Sequence, residues 1–128
     1  MIDSFYMNGD LWRVQFTNPY NSILIDRTGV LTVAVTNPAD RTVYISNAIY
    51  GSFLTKVTLH ELAHAMMISY GYLEQIHLYC KKRYWIDMEE LIANLISDRA
   101  HEIFEHAYEI VGDEAIRFVP YALERFAA

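Results

Sequence analysis

Hydrophobic and polar residues alternate along the first part of the chain, which is the pattern of half-buried strands. Residues 11–16 alternate in this way, and the strand-breaking residues Asn18 and Pro19 follow them. Residues 30–35 and 42–45 are rich in β-branched side chains, and a turn-forming segment with Asn and Pro lies between them. These two runs predict an antiparallel hairpin with a loop of roughly four or five residues.

From Ser52 onward the apolar residues recur at the spacing of helices. The first helix is predicted to be mostly buried, with Ser52 as its N-cap and Gly71 just after its end. Serine can accept a hydrogen bond from a free backbone N–H, and glycine tolerates the left-handed conformation that follows a helix. A second helix is predicted at about residues 73–82 and a third at about residues 87–110. The tail, residues 113–126, is also helical in composition.

The order of elements, strands first and helices afterwards, predicts an α+β fold with an N-terminal antiparallel sheet. A length of 128 residues suits a single domain covering residues 1–128. With 53% hydrophobic residues the composition is that of a globular protein.

Charge and hydropathy exclude several classes of partner. The formal net charge is −6, and the one basic run, residues 81–83, is isolated, so no nucleic-acid partner is expected. Cys80 is the only cysteine, which rules out an internal disulfide. The chain has no basic leader at its start and no apolar run near the roughly 20 residues of a membrane span. We therefore expect a cytoplasmic protein without a membrane partner, and the pattern leaves its oligomeric state open.

The segment His60-Glu61-Leu62-Ala63-His64 carries the residues that indicate a chemistry. Residues four apart on a helix share one face, with Cβ atoms roughly 6 Å apart, so His60 and His64 can point at one zinc ion. Glu61 lies about 100° round the helix from His60, which suits a general base acting on water better than a direct ligand. The alternative is a pair of buried structural histidines beside a surface glutamate.

A catalytic zinc site needs a third protein ligand, and the acidic segment 87–98 is the best source. Glu89 and Glu90 are adjacent and point about 100° apart, so only one of them is expected to be the ligand. Glu90 is preferred because it shares a polar stripe with Asn94, whereas Glu89 shares a face with apolar residues. Asn94 is expected to hydrogen-bond a ligand imidazole. Alternatively, both glutamates are solvated residues at the start of a helix.

The other histidines, His77, His101 and His106, are expected on helix surfaces, since none completes a two-ligand spacing with His60 or His64. Hydrolytic zinc enzymes often use a tyrosine or a histidine to stabilise the oxyanion. The pattern does not choose among the candidates, which include Tyr72, Tyr79, Tyr84, Tyr108 and Tyr121.

His60-Glu-x-x-His64 followed by Glu90-x-x-x-Asn94 resembles the gluzincin pattern, in which HExxH precedes a helix with ExxxD. Asn94 stands in the place of that aspartate, which predicts a weaker orienting hydrogen bond on a ligand histidine. The wider chain is similar to small HExxH proteins of tailed phages and prophages, themselves similar to ImmA/IrrE-type metallopeptidases. This resemblance covers residues 11–14, 42–46, the HExxH helix and residues 89–90, and it implies a minimal zincin-like domain.

The expected function is that of a zinc-dependent metallopeptidase acting on a protein or peptide. Zinc (Zn2+) would be held by His60, His64 and Glu90, with Glu61 as the general base. The substrate is expected to lie extended along an edge strand near residues 42–46. The alternative is a non-catalytic, zinc-containing protein of the same fold that binds a host or phage regulator.

Overall fold

The computed structural model describes residues 2–116, which begin with a four-stranded sheet and continue into three helices. The strands are β1 Ser4–Met7, β2 Asp10–Thr17, β3 Ala34–Asn37 and β4 Thr42–Ser46. The helices are α1 Gly51–Ser69, α2 Tyr72–Tyr79 and α3 Trp85–Val111, with 3-10 helices at Ser22–Leu24, Lys82–Tyr84 and Gly112–Ile116. The predicted α+β fold is confirmed. Residues 1–98 form one compact unit and a second begins at Arg99, while a single domain stays a prediction.

The sheet has the strand order β1-β2-β4-β3 and mixes parallel with antiparallel pairs. β1 is antiparallel to β2, and β3 is antiparallel to β4, so the predicted hairpin is confirmed, with residues 38–41 as its loop. β2 and β4 are parallel, with Val14 opposite Val43, so the prediction of an antiparallel sheet is wrong for this pair. Side chains alternate between the two faces of a strand in either kind of pairing. Strand direction is set by the connection, residues 18–33, which the alternation does not report.

β4 is a central strand, and β3 is the edge strand that lies beside α1. Four of the five β4 residues are buried, because β4 is inserted between β2 and β3. The expectation that residues 42–46 offer an open edge to a substrate is therefore wrong. Among the described residues β3 pairs only with β4, so the edge strand of the hairpin is its first strand.

The helix boundaries follow the predictions at the end of α1 and depart from them at its start. Tyr50 is the N-cap of α1, and its side chain makes no capping hydrogen bond, so Ser52 lies inside the helix rather than at its cap. Gly71 follows the C-cap Tyr70 with φ 75°, as a left-handed residue after the helix, which confirms the prediction there. α2 ends at Tyr79 because Cys80 is extended, so the predicted continuation to residue 82 is wrong.

α3 begins at Trp85 and ends at Val111, close to the predicted bounds, and Gly112 follows it with φ 66°. The predicted tail helix lies, beyond Ile116, outside the described residues. None of the helices within residues 2–116 combines the length and apolarity needed to cross a membrane.

Helix α1 is packed on two sides, which gives its side chains a defined position. One hydrophobic cluster joins the sheet to α1 and includes Trp12 and Ala65. A second joins α1 to α2 and α3 through Met67, Ile76 and Ala93. Because apolar burial holds α1 against both layers, the polar residues on its remaining face lie at a fixed distance from β3 and from the first turns of α3.

Candidate metal centre

Three side chains from two helices converge within the compact unit of residues 1–98. The Nε2 atoms of His60 and His64 on α1 lie 3.1 Å apart. Glu90 on α3 places Oε2 3.2 Å from His60 Nε2 and Oε1 3.4 Å from His64 Nε2. These three residues, which the sequence predicted as metal ligands, form the group of ligand atoms within 4.8 Å of one another. The structure therefore brings together His60, His64 and Glu90.

The spacing of these atoms fits a tetrahedral zinc ion. Zn–N and Zn–O bonds of about 2.0–2.2 Å at tetrahedral angles separate neighbouring ligand atoms by about 3.3–3.5 Å. The observed separations are 3.1 Å, 3.2 Å and 3.4 Å. Two imidazoles and one carboxylate are also a donor set of catalytic zinc sites. Both the separations and the chemistry of the donors fit the ion that the sequence implies.

The orientation of His64 is set by Glu89 rather than by Asn94. His64 Nδ1 lies 3.1 Å from Glu89 Oε1, and both side chains are more than nine-tenths buried. With Nδ1 donating to this carboxylate, the lone pair of Nε2 is left for an ion. Asn94 is exposed and only lines the pocket, so the prediction that it orients a ligand histidine is wrong. Glu89, the alternative ligand, contacts the other nitrogen of the ring.

Arg27 joins the cluster from a loop in the first part of the chain. Its Nη1 forms an ion pair with Glu89 Oε2, and its Nη2 lies 3.4 Å from Glu90 Oε1. The sequence pattern does not point to Arg27, because a lone arginine in a loop has no spacing that relates it to a helix about 60 residues later.

Glu61 is buried and faces the edge strand, so the alternative of a surface glutamate is wrong. It is 7% exposed, and the hydroxyl of Thr36 on β3 donates to its Oε2. Thr36 Oγ also lies 3.1 Å from the Glu61 backbone carbonyl. This hydrogen bond holds the Glu61 carboxylate against the edge strand, where it lines the same pocket as the two histidines.

The cluster carries an excess of negative charge. The carboxylates of Glu61, Glu89 and Glu90 and the guanidinium of Arg27 together leave two negative charges when the imidazoles are neutral. A divalent ion would balance them, and in its absence a proton does so in part. Burial tends to lower the pKa of His64, but hydrogen bonds with Glu89 and Glu90 and the charge of Glu61 outweigh it and raise the pKa to about 9.

The two glutamates of α3 show the converse shifts. Burial tends to raise the pKa of Glu89, but the hydrogen bond from His64 and the charge of Arg27 lower it overall. Hydrogen bonds with His60, and next with His64, hold the pKa of Glu90 well below its usual range. Both carboxylates therefore stay ionised near neutral pH.

The cluster opens on a pocket of about 570 Å³. One wall is β3 with its flanking residues 32–38, another is the face of α1 from Phe53 to Ile68, and a third is α3 from Glu89 to Ser97. Within residues 2–116, none of Tyr72, Tyr79, Tyr84 and Tyr108 and none of the other histidines lines this pocket. The remaining candidate, Tyr121, lies outside the described part of the chain. The exposed His77, His101 and His106 confirm the surface placement that was predicted for them.

Comparison of the chain with protein-family models, with curated proteins and with solved structures finds no match.

Proposed function

We propose that this protein is a zinc-dependent metallopeptidase with a minimal zincin-like domain. The observation that carries the proposal is the convergence of His60 Nε2, His64 Nε2 and a Glu90 carboxylate oxygen at separations of 3.1–3.4 Å, beside the buried Glu61. A structural pair of histidines on one helix would not require Glu90 of another helix to approach both rings at these distances. A common ion explains all three approaches at once.

In this proposal each side chain has a separate task. His60, His64 and Glu90 hold the zinc ion, and Glu89 fixes the ring of His64 through Nδ1. Bound zinc supplies Lewis acidity that activates water and polarises a peptide carbonyl. Glu61 accepts the proton of the attacking water and passes it to the leaving amine nitrogen.

The edge of β3 supports an extended peptide as the substrate. The Ser46 N–H donates to the Val33 carbonyl, and antiparallel pairing alternates, so Val35 points its backbone groups at β4. The backbone groups of Thr36 then face the outer edge, next to the pocket that contains Glu61. A peptide that adds to this edge as a further strand would pass the metal centre.

The test compares metal content and peptide hydrolysis in three proteins. We expect the wild type, purified without chelators, to hold one zinc ion and to hydrolyse members of a mixed peptide library. We expect His60→Ala to lose the zinc. Glu61→Gln should keep the zinc and lose hydrolysis by at least a hundredfold, since it removes the general base but no ligand.

Two outcomes would contradict the proposal in different ways. A wild-type protein without zinc would refute the metal centre itself. The second outcome is a wild type that holds one equivalent of zinc and hydrolyses no peptide, with a Glu61→Gln variant as stable as the wild type. It would favour a non-catalytic zinc protein that binds a host or phage regulator.

A further inference from the structure

We propose that Arg27 is a positioning residue through which a surface loop sets the geometry of the metal centre. The inference rests on the proposed zinc site but not on peptide hydrolysis. Arg27 does not contact the ring nitrogens of His60 or His64, and its side chain is 44% exposed, as in many surface arginines. Its two guanidinium nitrogens, however, reach two different carboxylates that serve the same ion.

The first contact controls His64 through Glu89. Glu89 Oε1 accepts from His64 Nδ1, and Glu89 Oε2 accepts from Arg27 Nη1, so both oxygens of this buried carboxylate are taken. Without Arg27 the carboxylate would keep one partner and could turn about its terminal bond. A buried carboxylate that loses its charged partner is strongly destabilised in that place. The orientation of the His64 ring would then no longer be fixed by Glu89.

The second contact controls the ligand Glu90. Arg27 Nη2 lies 3.4 Å from Glu90 Oε1, while Glu90 Oε2 faces His60 at 3.2 Å. Arg27 therefore contacts one oxygen of the Glu90 carboxylate, the same group that would bind the zinc ion. A planar guanidinium can hold two carboxylates in a fixed relation, which a single ammonium group cannot do.

The loop is built to present Arg27 in one direction. Asp26 Oδ1 accepts from the backbone N–H of Thr28 at 2.8 Å and of Val30 at 3.1 Å. Asp26 N donates to the Val30 carbonyl at 2.9 Å, and Gly29 takes a left-handed φ of 85° that closes the turn. These bonds hold the backbone on both sides of Arg27.

A second arginine of the chain supplies a matched control. Arg41 is 46% exposed, forms one ion pair with Asp10 at 3.2 Å and does not line the pocket. Exposed ion pairs of this kind contribute little to stability. A difference between Arg27 and Arg41 variants would therefore report position at the metal centre rather than loss of an exposed positive charge.

The experiment measures zinc affinity by competition with a chelator and the visible absorption of the cobalt-loaded protein. Removing a residue that orients metal ligands weakens metal binding by about 10–100-fold. We expect Arg27→Ala to fall in this range and to change the cobalt spectrum at saturation, with Arg41→Ala like the wild type in both. Arg27→Lys should recover part of the affinity. Asp26→Ala should add nothing in the Arg27→Ala background, if Asp26 acts only by presenting Arg27.

The proposal is overturned if Arg27→Ala binds zinc as the wild type does and keeps the cobalt spectrum. If Arg27→Ala does not fold, an Arg27→Lys variant with the zinc affinity and cobalt spectrum of the wild type would also overturn the proposal, because a single ammonium charge would then suffice. A wild type that binds no zinc defeats the proposed function and this inference together. A wild type that binds zinc but cleaves no peptide defeats only the peptidase.

Discussion

The pH dependence of the metal-free protein tests the electrostatics of the centre most directly. Raising the pH from about 6 to about 10 in the presence of a chelator should lower the free energy of unfolding by about 3 kcal/mol. His64 has its pKa raised from 6.5 to about 9 in the folded protein. Each unit corresponds to about 1.4 kcal/mol, and the His64 side chain is only 9% exposed, so solvent screens the interaction little.

The sign follows from which state holds the proton. A raised folded pKa means that the stabilisation is complete below 6.5 and disappears as the pH rises through about 9. Glu89 and Glu90 have lowered pKa values, so their contribution is present above 4.5 and is lost as the pH falls. Stability should therefore be greatest between about pH 4.5 and about pH 6.5.

Urea unfolding, followed by tryptophan fluorescence to which the buried Trp12 contributes, measures the change. His64→Gln removes the titrating ring and should flatten the curve above pH 6.5. His101→Gln is the control, because His101 is 80% exposed and should leave the curve as in the wild type. A stability that does not change between pH 6 and pH 10, or a decline that survives in His64→Gln, would refute this account.

Zinc binding should show the opposite dependence, because zinc needs the unprotonated ring. At pH 7 the ion must displace a proton from a group with a pKa of about 9. The apparent affinity should therefore be about a hundredfold lower at pH 7 than well above pH 9, rising about tenfold per pH unit between them. An affinity independent of pH over this range would show that His64 is not protonated in the metal-free protein.

Two further predictions concern stability. Thr36→Val should lower the free energy of unfolding by about 2 kcal/mol, because it leaves the buried Glu61 carboxylate without its hydroxyl donor; Thr58→Val, whose hydroxyl donates only to the Leu54 carbonyl of its own helix, should change it far less in the same urea titration. Gly71→Ala should cost about 1 kcal/mol through its φ of 75° alone, since an added Cβ meets no atom within 4 Å; a thermal or urea transition identical to that of the wild type would contradict this.

The sequence was a good guide wherever the decisive contacts are local. Helix geometry places His60 and His64 on one face whatever surrounds them, and Glu90 was preferred over Glu89 from the polar stripe that continues to Asn94. The structure brings His60, His64 and Glu90 together. The hairpin of β3 and β4 and the glycine after α1 also follow from short-range patterns, because turn residues and left-handed glycines act within a few positions.

Contacts between distant segments were outside the reach of those patterns. Only the fold decides that β4 runs parallel to β2 and leaves β3 as the edge beside α1, since alternation is the same for either direction. Only the fold brings Arg27 to Glu89, and Thr36 to Glu61, across tens of residues of chain. The sequence by itself predicted the side chains that could hold an ion, with Glu89 left open as the alternative to Glu90. The tertiary structure decided what orients them, because hydrogen bonds to Nδ1 and to a buried carboxylate depend on packing between elements that the chain connects only remotely.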